Sequence, residues 1–151
     1  MFHRFLNWRF TLFAIAIAIV TGTIFYSQYL ARKIANDERQ KVEIWVESEQ
    51  FLINSPADAD TRLVSTIIIN NRDIPIIGVN ESGEIIAYIN LDSNKIREDP
   101  AYLTKKLRQF KSQHDPIVYT DPLNKKKDFY YYGSSMLLRE VRYYPLVQLI
   151  V

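Results

Sequence analysis

The side chains that could carry out chemistry in this chain are few and far apart. His114 and Asp115 are adjacent, and such a pair could bind a metal ion or transfer a proton. A single loop histidine is more often a solvated surface residue, and Ser134 lacks the nucleophile-elbow context of a serine hydrolase. The sequence has no cysteine, which excludes disulfides and thiolate ligands. We therefore expect no catalytic residue, no metal site and no cofactor.

Three residues are candidates for binding a small ligand. Tyr130 and Tyr132 belong to a run of three tyrosines that is predicted to be a strand, and Asn90 lies near the end of an earlier apolar run. Alternate residues of a strand share one face of a sheet, and that face commonly belongs to the core. The tyrosines could instead line a pocket. We take Asn90, Tyr130 and Tyr132 as the ligand-binding candidates.

Basic residues cluster on a predicted helix and in a predicted turn. They are Lys105, Lys106, Arg108, Lys111 and residues 125–127. Such residues could bind anions or lipid head groups, although basic residues at these positions are more often the solvated faces of a helix and a turn. The formal net charge is only +2, which does not indicate a nucleic-acid partner.

A charge-free segment near the N-terminus is predicted to anchor the rest of the chain at a membrane. Phe10–Ala31 contains no charged residue and is long enough for a helix to cross a hydrocarbon core. Trp8, Tyr26 and Tyr29 suit the two membrane interfaces. A cleaved signal peptide is the alternative, but the apolar run is long for one and no clear small-residue cleavage site follows it. We predict a cytoplasmic N-terminus over residues 1–9 and a transmembrane helix over residues 10–31, although the flanking basic residues do not decide the orientation.

The same helix is predicted to continue to about Ile53, outside the membrane. No glycine or proline occurs before Pro56, and apolar residues recur at helical spacing over residues 32–53. We expect Ile44, Trp45 and Leu52 to be packing residues of a signalling helix. They could pack on the same chain or against a second copy. Because the apolar stripe is interrupted near Glu38, any coiled coil would be weak.

The rest of the chain alternates strand and helix patterns and predicts an α+β domain over residues 54–142. A short helix is predicted over Arg62–Asn70, and Gly83 lies in a turn that joins strands Ile74–Val79 and Glu84–Leu91. A helix, two strands and a last helix follow. On the last helix we expect Leu137, Val141 and Tyr144 to be packing residues. The sequence therefore predicts a small antiparallel sheet with helices on one face.

The segment "RYYPLVQLIV" predicts the start of a second transmembrane helix over residues 143–151. Tyr143 and Tyr144 would lie at the interface, and Pro145 would kink the helix there. The seven residues from Pro145 to Val151 cannot span a bilayer, so we expect the span to be cut off in this chain. The alternative is a short amphipathic tail.

The chain resembles the N-terminal sensory region of membrane-bound two-component histidine kinases of Bacteroidota. The resemblance covers nearly the whole chain and includes "YLARKIANDERQKVEIWVE", "IPIIGVNESGEIIAYINLD" and "YYGSSMLLREVRYYPLVQLIV". It implies a PAS- or Cache-like extracytoplasmic domain at the bacterial inner membrane, a homodimer, and an unknown small ligand or stress signal. It also implies that the cytoplasmic response regulator is reached through a kinase part that this chain lacks. Neither His3 nor His114 lies in a phosphoacceptor context.

Two other classes of protein share part of the pattern. A stand-alone membrane-anchored binding or assembly protein would need the same anchor and domain without any kinase. Type IV pilins also begin with a long apolar helix that leads into a sheet domain. However, they carry glycine where Arg9 precedes Phe10, and an acidic residue where Ala14 and Ala16 lie. We therefore keep the anchored binding protein as the alternative and regard the pilin as remote.

Overall fold

A computed structural model describes residues 2–150 of the chain, with the side chains of residues 8–145 and 147. Its internal contacts divide the chain into two compact units. One contains the first part of the N-terminal helix up to Ala35 together with the last helix from Leu137, and the other spans Asn36–Met136. Met1 is the first residue of the predicted cytoplasmic segment, and Val151 is the last residue of the predicted second span. Both lie outside the described residues.

The fold is α+β, as predicted, with a long apolar N-terminal helix and a small antiparallel sheet. The helices are α1 Phe2–Asn54, α2 Arg62–Asn70, α3 Ser93–Glu98, α4 Tyr102–Lys111 and α5 Met136–Ile150. The strands are β1 Ile76–Val79, β2 Ile85–Ile89, β3 Ile117–Thr120 and β4 Lys127–Tyr132. They form one four-stranded sheet in the order β2-β1-β4-β3.

The predicted hairpin forms between β1 and β2. Gly83 has φ of 81°, the left-handed conformation that glycine adopts without steric cost, and its N–H donates to Asn80 O at 2.9 Å. Both strands are shorter than predicted. β2 ends where Asn90 takes φ of 54°, and the chain before β1 is held by hydrogen bonds between Asn71 and Ile74 instead of strand pairing.

The sheet is covered on both faces, whereas the sequence predicted helices on one face only. Ile76, Tyr130 and Tyr132 belong to one buried cluster with α1 residues, which are Val42, Trp45 and Val46. On the opposite face, Ile77 and Val79 are buried in a second cluster with Leu107 and Phe110 of α4. Side chains alternate between the two faces of a strand. Consequently, Tyr130 and Tyr132 contact the α1 cluster, and Tyr131 contacts the α4 cluster.

Helix α3 is not predicted by the sequence analysis, which placed one helix between the hairpin and β3. Asp92 caps α3, because its side chain accepts hydrogen bonds from the N–H groups of Asn94 at 3.0 Å and Lys95 at 3.3 Å. Pro100 disfavours helical backbone at the residue before it, so the chain breaks there before α4 begins.

The other unit contains the apolar part of α1 and helix α5. Within the described residues, α1 includes the one helix that is long and apolar enough to cross a membrane, a test that a signal sequence near the N-terminus also passes. Its large apolar side chains are mostly exposed, as expected for side chains that contact lipid. The Ser27 hydroxyl donates to the carbonyl oxygen of Val141 at 2.7 Å, which joins the two helices. Helix α5 continues through Pro145.

Candidate functional site

The tyrosines predicted to bind a ligand are core residues. Tyr130 and Tyr132 are only 1% and 2% exposed, so neither ring faces solvent. Asn90 is exposed, but its side-chain amide already donates hydrogen bonds within the chain. The acceptors are the carbonyl oxygens of Asn71 and Ile74, both at 2.9 Å. The structure therefore gives each residue a structural environment, and its ligand-binding role stays a prediction.

Tyr130 lies in a buried polar network with α1. Its hydroxyl accepts a hydrogen bond from Nε2 of Gln50 at 2.6 Å. Burial, followed by the negative charge of Glu49, raises the pKa of Tyr130 well above its ordinary value. Burial also raises the pKa of Glu49, although a hydrogen bond from Tyr130 partly offsets this. Oε2 of Glu49 is buried and has no hydrogen-bond partner among the described residues.

Tyr132 lies beside His114 in a second cluster. The two rings stack with centroids 4.5 Å apart and an interplanar angle of 6°, and Nε2 of His114 is 3.4 Å from Oγ of Ser134. Burial raises the pKa of Tyr132, and the nearby Arg39 opposes this rise. In the part of the chain that is described, no group of three histidine or carboxylate side chains could hold a metal ion.

A buried carboxylate joins α1 to the segment between β4 and α5. Glu38 is 3% exposed, and one of its carboxylate oxygens accepts a hydrogen bond from the Ser135 hydroxyl. Its other oxygen accepts from the Ser135 N–H at 3.4 Å. Burying a carboxylate without hydrogen-bond donors costs free energy. Moving Ser135 away from Glu38 would incur that cost, so the contact holds Ser135 beside this residue of α1.

A cleft of about 280 Å³, here named the Trp45 cleft, lies beside α1 within the Asn36–Met136 unit. It is lined by Lys41, Ile44, Trp45, Ile67, Asn70 and residues 71–74. Trp45 and Ile74 are buried, so they form the apolar floor, while the exposed Lys41 and Arg72 bring positive charge. The cleft thus combines apolar surface with a few polar groups, as ligand pockets commonly do.

The polar segment before β1 is held in place by two asparagines. Oδ1 of Asn71 accepts from the N–H of Ile74, and Nδ2 of Asn71 donates to the Ile74 carbonyl oxygen, both at 3.3 Å. Asn90 binds the same carbonyl oxygen from the end of β2. Asn90 is not among the residues that line the cleft, but it positions the segment that does.

The predicted packing residues of α1 have different environments. Trp45 is buried, and its ring meets that of Tyr130 edge to face at a centroid distance of 6.2 Å. Its indole N–H is also buried and has no hydrogen-bond acceptor within the described residues. Ile44 is 50% exposed and Leu52 is 39% exposed. The role of Ile44, Trp45 and Leu52 in a signalling helix stays a prediction. For Ile44 and Leu52 it requires a further surface that covers their exposed side chains.

The predicted packing residues of α5 lie in the unit that contains the apolar part of α1. Val141 and Tyr144 border a groove of about 320 Å³ with Ser27 and Leu30. Leu137 and Tyr144 are exposed in this chain. Their roles in signalling likewise stay predictions.

Three of the basic side chains predicted to cluster on α4 contact neighbouring side chains of the same domain. Nζ of Lys105 contacts the Asp99 carboxylate at 2.9 Å, and Nζ of Lys106 donates to Gln109 at 3.1 Å. Nζ of Lys111 lies 4.9 Å from the centroid of the Tyr131 ring. These contacts agree with solvated residues on the face of a surface helix.

Sequence reasoning missed Lys41 and Arg72 as members of one site. The two residues lie far apart in the chain and meet only because α1 packs beside the segment before β1. The polar run from Asn70 to Asp73, between an apolar helix and an apolar strand, was the available signal. The sequence also showed that Glu38 interrupts the apolar stripe of α1. It did not show that Ser135 is the hydrogen-bond partner of Glu38.

The chain matches no protein-family model, no curated protein and no solved structure.

Proposed function

We propose that this chain is the sensory input region of a membrane-bound histidine kinase in a two-component system. The observation that carries the proposal is that α1 is one helix with two roles. It contains the charge-free segment, and its residues Val42, Trp45 and Val46 pack into the core of the small sheet. A change in core packing therefore acts directly on the helix that we propose crosses the membrane.

The contact between Glu38 and Ser135 supports a second connection. Ser135 immediately precedes α5, which we propose to be the second helix that enters the membrane. Two domain states that differ in this hydrogen bond would differ in the position of Ser135 relative to α1. A ligand that prefers one state would shift the population toward it by its difference in affinity.

The remaining parts of the proposal follow from the resemblance. The sheet domain is PAS-like and lies on the periplasmic side of the bacterial inner membrane, and two copies form a homodimer. This chain does not transfer phosphate itself. A kinase part of the same protein passes the signal to a cytoplasmic response regulator.

A stand-alone membrane-anchored binding or assembly protein is the second candidate. The Trp45 cleft is compatible with both candidates, because binding a ligand beside a helix that we propose is anchored in the membrane requires no kinase.

The native protein in its source cells distinguishes the two candidates. An antiserum against Asn36–Met136 is used to precipitate the protein from solubilised membranes, and the precipitate is incubated with labelled ATP. We expect a band much larger than 17.8 kDa that incorporates acid-labile phosphate. A membrane-bound band near 17.8 kDa without phosphate would instead identify the anchored binding protein.

A further inference from the structure

We propose that the Trp45 cleft binds a small organic monoanion with an apolar body, such as a carboxylate. This inference rests on the proposed function only in taking such binding to be the signal, because the binding itself requires no kinase.

The charges around the cleft favour an anion. Lys41 and Arg72 line it, and neither makes an ion pair within the described residues. Asp73 is the single acidic residue of the lining. Basic side chains elsewhere in this unit, such as Arg39, Arg62 and Lys105, do have carboxylate partners. Two unpaired cations at one cleft can therefore donate charge-assisted hydrogen bonds to a carboxylate.

The floor and walls of the cleft favour an apolar body behind the charge. Trp45 and Ile74 are buried beneath it, and Ile44 and Ile67 complete the apolar lining. The volume of about 280 Å³ lies just below the range of roughly 300–1,000 Å³ for pockets that hold drug-sized ligands, so only a small ligand fits. A bulky polyanion such as a nucleotide would require more cations and a larger volume. A small carboxylate with a hydrocarbon or aromatic group fits both observations.

The cleft is also preorganised on one side. Asn71 and Asn90 fix the segment that contains Arg72 by hydrogen bonds to the Asn71 and Ile74 backbone. Side chains on a fixed segment lose less freedom when a ligand binds. Asn70, whose side chain makes no hydrogen bond within the described residues, can add an amide donor to the carboxylate.

The test uses the full chain in lipid nanodiscs and the fluorescence of Trp45. The sequence has two tryptophans, so the Trp8→Phe variant leaves Trp45 as the only reporter. Hexanoate and 3-phenylpropionate are titrated against their neutral amides, hexanamide and 3-phenylpropanamide, which have the same apolar bodies. Calorimetry provides an independent affinity for each compound.

We expect at least one carboxylate to saturate the Trp45 signal, with a Kd about tenfold below that of its amide. Lys41→Gln and Arg72→Gln should each raise the carboxylate Kd about tenfold and leave the amide Kd unchanged. Lys106→Gln removes a cation of α4 and should change neither. Circular dichroism of each variant verifies that the fold is retained.

Three results would overturn the inference. They are equal affinity for acid and amide, no saturable binding of either acid to the folded chain, and an equal effect of Lys106→Gln. Failure of the kinase proposal is separate. Carboxylate binding without phosphate uptake by the native protein would leave the cleft assigned and favour the anchored binding protein. Phosphate uptake without carboxylate binding would reject the cleft ligand alone.

Discussion

At the scale of single residues, the buried carboxylate of Glu38 has the clearest energetic role. We predict that Glu38→Ala lowers the free energy of unfolding by about 1–3 kcal/mol, because it leaves the Ser135 hydroxyl and N–H without their buried acceptor. Chemical denaturation followed by Trp45 fluorescence, in the Trp8→Phe background, measures the change.

Glu47→Ala is the matched control, since Glu47 is an exposed glutamate of the same helix. A double-mutant cycle with Ser135→Ala tests the pairing itself. The two changes should be non-additive by at least about 0.5 kcal/mol, and additive effects would contradict a direct bond.

Glu49 gives a prediction about pH. Burial raises its pKa above the ordinary value of 4.5, so its ionised form destabilises the folded state. That destabilisation is fully present above the folded-state pKa, decreases as the pH falls through it, and is absent below 4.5. We predict that Glu49→Gln, which keeps an acceptor for Tyr130, is more stable than the parent chain near neutral pH.

The advantage of Glu49→Gln should shrink as the pH approaches 4.5 and below. Unfolding free energies of the two chains between acidic and neutral pH provide the comparison. An advantage that is constant with pH would mean that the charge on Glu49 is not its cause.

At the scale of elements, the connection from β4 to α5 depends on a close backbone approach at Gly133. A Cβ atom placed there would overlap the ring of Phe110 on α4, and the Gly133 N–H donates to Pro75 O at 2.9 Å. We predict that Gly133→Ala destabilises the domain by about 1–3 kcal/mol through this overpacking. Thermal or chemical denaturation of the variant tests the effect.

Gly22→Ala is the control, because a Cβ atom at Gly22 meets no atom of the described residues within 4 Å, apart from the adjacent residues and backbone of its own helix. Adding Phe110→Leu to Gly133→Ala should relieve the overlap, so the double variant should lose less than the sum of the single losses. Simple additivity would show that the ring of Phe110 is not what excludes a side chain at Gly133.

The elements with local signals could be predicted from the sequence. The helix Arg62–Asn70 coincides with α2, and the turn at Gly83 identified the hairpin, because capping, periodicity and turn chemistry depend on neighbouring residues. Helix α3 was missed because it is short and its apolar periodicity is weak. The Trp45 cleft could not be predicted, since Lys41 and Arg72 meet only through tertiary packing.

At the scale of the whole molecule, the sequence left the membrane orientation open because basic residues flank both ends of residues 10–31. Arg39 contacts Glu43 at 3.0 Å and Asp115 O at 3.4 Å, and Lys41 lines the Trp45 cleft. Arg39 and Lys41 both belong to the Asn36–Met136 unit. They also lie within the roughly 15–20 residues after the span that the positive-inside comparison counts, so labelling experiments decide the orientation.

We predict that the N-terminus is cytoplasmic and that the sheet domain lies outside the cytoplasm. Because the chain has no cysteine, single cysteines can report this without background. Ser112→Cys places a thiol at an exposed residue after α4, and Asn7→Cys places one before the apolar segment. In intact cells, a membrane-impermeant maleimide should label the Ser112→Cys protein. The Asn7→Cys protein should react only after the cells are opened. The reverse pattern would place the Trp45 cleft in the cytoplasm and remove the basis for an extracytoplasmic signal, while leaving the chemistry of the cleft unchanged.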